Sequence, residues 1–411
     1  MRATGATDRL GYPRSMSGAS RFDITRVRLR QYRSIANCDV RLGPLSLIVG
    51  PNGSGKSNFV DSLRLVSQAL NENLDNALRE RGGAAEVRRR STGHPTHFGI
   101  ELVFQGESFA GEYKFQIAAV RGGDFRVSHE SCLVVGSEFG GEPIRYEIRD
   151  GQVVFASDGV VVPRVTDDRL LLATLSGQES FRPVFDGLTG VNVFNLNPDS
   201  MRSLQKPDPG ELMHRDGANV ASVLENLKRT QPELKVRIEE YLRQIVPGVE
   251  SVDRKGLGAY ETLEFRQRVQ GSRDPWVFPA TSMSDGTLRV LGVLVALFGP
   301  TGEARSPVVV EEPEVALHPA AAGLLLEALK SASTLRQVVA TTHSPDLLDS
   351  PALQADEIVA VRAEDGKTVV SALEPAGHQA IKDSLYTPGE LLRVDQLQPA
   401  PDGTVQSELF A

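Results

Sequence analysis

The sequence predicts an α/β fold with an antiparallel β lobe, a mostly parallel α/β lobe and a helical insertion. Three observations carry this reading. Residues 286–362 alternate helix-period and strand-period segments, the pattern of βα units around a parallel sheet. Earlier, the runs FGIELVFQ, EYKFQIAAV, CLVVG, IRYEIRD and QVVFAS follow one another with no helical pattern between them, as in an antiparallel sheet. Finally, the apolar strand LSLIVG passes through a glycine-rich turn directly into an amphipathic helix.

Taken in order, residues 1–21 are rich in Gly, Ser and Arg without periodicity and are expected to be a disordered tail, with Met16 a candidate for the true start. Residues 22–167 open with alternating FDITRVRLRQY and short strands CDVRL and LSLIVG. A helix is expected from Lys56 to about Ala77, with Phe59, Val60, Leu63, Val66 and Leu70 on one side. The arginine-rich residues 79–94 read as an exposed loop. Residues 168–248 turn helical and form the insertion, expected to be an arm or lid. Residues 249–375 hold the helix 286–298, strand 307–310, helix 319–332 and strands 337–342 and 357–362, and 376–411 form a C-terminal extension.

Composition narrows the class. The chain has 411 residues, 40% hydrophobic and 24% charged, which suits a soluble globular protein of two or three units. Its longest apolar run, Val290 to Phe298, falls short of the roughly 20 residues a membrane span needs, so no membrane partner is expected. Cys38 and Cys132 lack metal or redox spacing and read as small buried side chains in a reducing cytoplasm. The net charge of −8 counts against constitutive nucleic-acid binding but leaves room for a local basic patch.

The turn after LSLIV is Gly50-Pro51-Asn52-Gly53-Ser54-Gly55-Lys56-Ser57, followed by Asn58. It matches G-x-x-x-x-G-K-[ST] in full. Glycines let backbone N–H groups turn inward around a phosphate, and the helix that follows presents its positive end to the anion. Lys56 reaches the outer phosphates and the Ser57 hydroxyl holds Mg²⁺. An ordinary glycine-rich turn would share the glycines but not the full spacing between strand and helix. The expected ligands are therefore ATP and Mg²⁺.

Two further apolar strands end in polar residues. PVVVEEPEVALHP closes on Glu311, placed to hold Mg²⁺ through water, and Glu312, placed to polarise an attacking water as general base. RQVVATTHSPDLL closes on His343, placed to sense the γ-phosphate. Each alone reads equally well as a solvated strand end. Together, Gly50, Glu311 and His343 all follow apolar strands, and open α/β sheets gather ligands at the carboxyl ends of their strands.

The set GPNGSGKS, MSDGT, VVVEEPE and TTHSP, in that order, resembles the ABC-type ATPases of the SMC and RecF group. The likeness is strongest to stand-alone bacterial AAA family ATPases of RecF-like and OLD-like type. It implies an ABC/SMC-type P-loop NTPase head over residues 22–375. It further implies a homodimer with ATP sandwiched between protomers, in which Ser284 and Gly286 of MSDGT touch the nucleotide held by the other copy. Val315 to His318 then fall at the D-loop. Arg33, in the "RS" position of VRLRQYRS, becomes a nucleotide contact, and Gln105, closing IELVFQ, becomes the Q-loop ligand of Mg²⁺. Asp285 replaces a common glycine, so its side chain is expected to point away from phosphate, and Glu311 replaces the usual aspartate. The span 58–282 between loop and signature suits neither a transporter ATPase nor long SMC arms. Residues 344–411 leave little room for a Toprim nuclease, so any cutting is assigned to a partner.

Two partner classes remain. DNA would meet the arginines of 79–90 and Arg26, Arg28, Arg30 and Arg33, although a solvated basic surface reads the same way. An effector protein encoded nearby, a nuclease or toxin under the control of an ATPase switch, is the alternative.

Overall fold

The computed structural model describes residues 20–401 apart from 92–95, 121–123, 138–139 and 303. Most of the expected N-terminal tail, Met16 included, lies outside the described residues.

The strands are β1 (Phe22–Tyr32), β2 (Ile35–Arg41), β3 (Leu45–Val49), β4 (His97–Gly106), β5 (Phe109–Ala119), β6 (Phe125–Gly136), β7 (Ile144–Arg149), β8 (Gln152–Ala156), β9 (Asn192–Phe194), β10 (Val249–Leu257), β11 (Tyr260–Gln267), β12 (Trp276–Pro279), β13 (Val308–Glu311), β14 (Val338–Thr342), β15 (Ile358–Glu364) and β16 (Lys367–Ala372). The helices that bear on the site are α1 (Lys56–Asn71), α2 (Leu74–Arg79), α3 (Ala84–Val87), α4 (Leu171–Leu175), α5 (Arg182–Thr189), α6 (Pro198–Arg202), α7 (Val220–Thr230), α8 (Pro232–Ile245), α9 (Asp285–Phe298), α10 (Ala322–Ser333) and α11 (Pro345–Leu348).

Thirteen of the described strands form one mixed sheet in the order β8-β7-β6-β5-β4-β1-β2-β16-β15-β3-β14-β13-β9. Strands β10, β11 and β12 form a separate small sheet. From β8 to β2 the neighbours run antiparallel, and from β15 across β3, β14 and β13 to β9 they run parallel.

The parallel strands are buried on both faces, which is why they read as unbroken apolar runs. Successive side chains of β3 and β13 fall into different cores. Leu45, Leu47, Val49, Val308 and Val310 face the core shared with α7 to α10, while Ile48 and Val309 face the core shared with α1, α2, α4 and α5. Helix α9 is buried almost all round, with Leu288, Leu291, Val293, Leu294, Leu297 and Phe298 inside. Its apolar sequence therefore reflects a central helix rather than a surface one.

The structure departs from the sequence reading in three places. Residues 168–248 are built into the body rather than standing out from it. Leu171, Leu172, Phe181 and Leu188 pack into one core, and Leu224, Leu227, Ile238 and Leu242 into the other. Within the same stretch, β9 adds a parallel edge strand to β13, with Val193 opposite Val309. A three-residue strand is too short to show a period, so helical segments on either side dominate the pattern.

The helix after the phosphate loop ends at Asn71 rather than near Ala77, because the Asn73 side chain accepts the Asn76 N–H at 2.7 Å and caps a new helix, α2. Residues 79–94 are only partly loop: α3 lies within them, and Arg81 turns inward, its side chain 2% exposed.

Candidate functional site

The candidate site is built at the carboxyl ends of β3, β14 and β13. Register fixes their alignment, since Thr342 sits opposite Val49, Thr341 opposite Ile48, and Glu311 opposite Thr341. Gly50, Glu311, Glu312 and His343 therefore emerge along one edge of three adjacent parallel strands, as an open α/β sheet places its ligands.

Gly50, Pro51, Asn52, Gly53 and Ser54 form the turn between β3 and α1, with Pro51, Asn52 and Gly53 exposed. Gly55 has φ +105°, and a Cβ there would lie 2.2 Å from Thr368 Oγ1. Only glycine satisfies both conditions. Lys56 is 5% exposed, and its Nζ donates to the carbonyls of Gly50 at 2.8 Å and Pro51 at 3.0 Å. An ammonium has three donors, so one is left over. Burial pulls its pKa below the ordinary lysine value, against the opposing charges of Glu312 and Glu314. Ser54 Oγ is buried without a hydrogen-bond partner. A spare ammonium donor and an orphaned hydroxyl in one glycine loop fit a phosphate. The oxygens of Ser57, which is exposed at the start of α1, and of Glu311 are the hard donors that Mg²⁺ takes.

A polar relay holds the loop from behind. Asn58 Nδ2 donates to Ser34 Oγ at 2.6 Å, Ser34 Oγ lies 2.7 Å from Thr368 Oγ1, and Thr368 Oγ1 donates to the Ser54 carbonyl at 2.9 Å. Ser34 and Thr368 come from the β1–β2 turn and from β16. Arg33, beside Ser34 and at φ 48°, pairs through Nε with Asp61 of α1 at 2.9 Å. Asp61 also accepts Tyr32 Oη at 2.7 Å and Arg81 Nε at 3.0 Å. Burial alone would raise the Asp61 carboxyl, but the Arg81 hydrogen bond and charge, with Arg33 and Tyr32, hold it below the ordinary value. Arg33 thus lies against the first turns of α1, with its guanidinium committed to a carboxylate.

Glu311 pairs with Arg215 Nη2 at 3.1 Å. Glu312 has φ 46°, a left-handed backbone that a glutamate seldom adopts, and its N–H is shared between the carbonyl and hydroxyl oxygens of Thr341, both at 3.1 Å. His343 Nδ1 lies 3.4 Å from Glu312 Oε1 and 4.0 Å from Glu314 Oε1. Arg289 of α9 reaches over from the signature helix. Its Nη1 donates to the Leu196 carbonyl at 3.0 Å and its Nη2 to the carbonyls of Glu311 at 3.3 Å and Glu312 at 3.2 Å.

Ser284 caps α9, accepting the Thr287 N–H at 3.2 Å. Gly286 lies where a Cβ would be 2.4 Å from the Ala316 carbonyl, so the signature turn packs directly on residues 315–318. Asp285 pairs with Arg202 of α6, which also donates to the Met283 carbonyl at 3.3 Å. The acid is thus paired with an arginine of its own chain.

Gln105 is the one expected site residue that the structure carries elsewhere. It pairs with Asp23 near the start of β1, whereas Arg33 follows the far end of that strand. At about 3.3 Å per residue, that separates them by roughly 30 Å. β4 runs antiparallel to β1 and leaves the nucleotide edge, so the end of its apolar run points the wrong way.

The sequence reading missed Ser34, Thr368, Glu314, Arg289 and Arg215. Glu314 had a signal, since it stands two residues beyond Glu312. Thr368 had none, because its place depends on the β15–β16 hairpin.

Comparison with known proteins bears on the fold and on relatedness. Residues 175–349 match a family model described as "AAA domain, putative AbiEii toxin, Type IV TA system", and residues 26–147 match a second AAA domain model. Between them they span more than half of the chain. The crystal structure of an SmcHead bound to the C-winged helix domain of ScpA superposes with a TM-score of 0.52 at 14% identity, over 86% of this chain and 99% of that one. Over residues 26–147 and 175–349 the chain is similar to AAA-domain proteins. Its fold is that of an SMC head, with a large mixed sheet.

Another Smc head domain, derived from Pyrococcus furiosus with an extended coiled coil, aligns at 13% identity and a TM-score of 0.48 over 89% of this chain and 99% of that one. The DNA replication and repair protein RecF of Magnetococcus marinus is 44% identical over 45 residues, 11% of this chain and 12% of that relative's length. No described helix is long and apolar enough to cross a membrane.

Proposed function

We propose that this protein binds ATP with Mg²⁺, closes as a homodimer around it, hydrolyses it, and serves a DNA-associated process of RecF-like repair or genome surveillance. The observation that carries the reading is the alignment of Gly50, Glu311–Glu312 and His343 at the ends of three adjacent parallel strands.

Lys56 and the loop N–H groups would hold the phosphates, and Ser57 and Glu311 would hold Mg²⁺, with Arg215 yielding its place on Glu311. Bound Mg²⁺ would supply charge neutralisation on the β- and γ-phosphates. Glu312 would take the proton of the attacking water as general base, and His343, its Nδ1 3.4 Å from Glu312 Oε1, would sense the γ-phosphate. Ser284 and Gly286 of the second copy complete the pocket from outside.

The RecF match supports the DNA-associated role. The arginines expected to meet DNA are largely committed within the chain: Arg26 and Arg28 to Asp39, Arg33 and Arg81 to Asp61, Arg79 to Asp75 and Arg90 to Glu86. Duplex binding must therefore compete with these pairs and will fall steeply with salt. A second reading, an ATPase switch that controls an effector in anti-phage defence, is favoured by the toxin–antitoxin description of the family model over residues 175–349.

One experiment addresses both. Lys56→Ala is expected to lose ATP binding, and Glu312→Gln to bind ATP and remain as a dimer on size exclusion. Turnover by Glu312→Gln at the wild-type rate would remove the general-base assignment. ATP-dependent retention of duplex DNA on a filter at two salt concentrations supports the DNA role, and its absence supports the switch.

A further inference from the structure

We propose that Glu314 is a positioning residue for His343, holding the histidine at the nucleotide edge through a single carboxylate oxygen; the inference rests on the nucleotide reading above. Glu314 is buried at the turn after β13, and Thr342 from the neighbouring strand is buried beside it. Glu314 Oε1 accepts the Thr342 hydroxyl at 2.6 Å and the His343 N–H at 3.3 Å. Thr342 Oγ1 in turn accepts the Ser344 N–H at 3.1 Å. All three residues of the turn that carries His343 are therefore tied, directly or through one hydroxyl, to one oxygen of Glu314.

The other oxygen separates this role from simple stapling. Glu314 Oε2 is buried with no hydrogen-bond partner. A half-satisfied buried carboxylate costs stability that a neutral staple would avoid. The same side chain thus sets the backbone of His343. Glu312 is held by the same strand end, through Thr341, so the base and the histidine are fixed by successive residues of β14.

Glu314→Ala removes the acceptor, whereas Glu314→Gln keeps a carbonyl oxygen for both bonds. With ATP and Mg²⁺, Glu314→Ala is expected to lower kcat by about 10- to 100-fold with little change in KM, since a small misplacement of a reacting group costs that much. Glu314→Gln is expected to recover most of the loss. In a His343→Ala background, Glu314→Ala should add almost nothing, because residues acting through one another are not additive. The histidine is also observed directly, by the imidazole NMR resonances that disappear in His343→Ala. They should move in Glu314→Ala and return in Glu314→Gln. Independent multiplication of the two losses, or an unmoved His343 resonance in a folded Glu314→Ala, overturns the proposal. A wild-type protein that does not turn over ATP defeats the ATPase reading instead, and the resonance still tests the placement of His343.

Discussion

Thr368 donates its hydroxyl to the carbonyl of Ser54 at 2.9 Å, so a strand hairpin late in the chain braces the phosphate loop from behind. Thr368→Val removes that donor and leaves the Ser54 carbonyl and the Ser34 hydroxyl short of a partner. The expected cost is about 1–3 kcal/mol of stability, read by denaturant unfolding. Because the brace bears on the loop itself, ATP affinity is expected to fall on the order of tenfold, which corresponds to about 1.4 kcal/mol. Unchanged affinity in a destabilised protein would show that the brace serves the fold alone.

Gly55 faces the same hydroxyl from the other side. Gly55→Ala meets both the left-handed φ of +105° and an oxygen 2.2 Å away. The loop has to open to relieve the clash. The expected result is a folded protein with no measurable ATP binding by isothermal titration, at a stability cost of about 1–2 kcal/mol from the backbone alone.

Asp61 supplies a pH dependence. It is the shared acceptor for Arg81, Arg33 and Tyr32, and Asp61→Asn leaves the buried Arg81 guanidinium without its counter-charge. Breaking such a pair costs about 3–5 kcal/mol near neutral pH. The folded-state pKa of Asp61 lies below the ordinary carboxylate value. Its contribution is therefore fully present above about pH 4 and is lost as pH falls through the lower folded value. Urea unfolding of wild type and Asp61→Asn should differ by a constant amount from pH 7 to about pH 5. The difference should shrink on further acidification, and a gap that widened toward acid would contradict the assignment.

What the sequence made legible follows from what each feature depends on. Gly50 to Ser57, Glu311, Glu312 and His343 could be read because each stands directly after an apolar run, and strand direction alone brings parallel strand ends to one edge. The cap at Ser284 was equally local. Thr368 and Arg215 were not legible, since their places are set by contacts across hundreds or scores of residues. Gln105 misled for a related reason: an apolar strand ending in glutamine says nothing of which edge it ends on, and here the antiparallel order of β4 and β1 decides it. β9 escaped because three residues cannot show a period, and with it went the anchoring of the whole 168–248 stretch to the parallel sheet.

Ser284 separates a structural role from a role between copies. Its side chain caps α9 by accepting the Thr287 N–H, so Ser284→Ala is expected to cost about 1 kcal/mol of stability and, having lost its hydroxyl at the partner's nucleotide, to turn ATP over more slowly. Ser284→Arg loses the same cap but adds a long cation at an exposed helix start. Both variants should bind ATP like wild type, because the cap lies outside the phosphate loop of its own chain. Ser284→Ala should weaken and Ser284→Arg abolish ATP-driven dimerisation and turnover, read by light scattering and phosphate release. Gly286→Ala offers the complementary perturbation, since its Cβ would lie 2.4 Å from the Ala316 carbonyl and force the signature turn off residues 315–318. It should bind ATP and fail to turn it over. Normal turnover by Ser284→Arg would confine Ser284 to capping and place the second half of the pocket elsewhere.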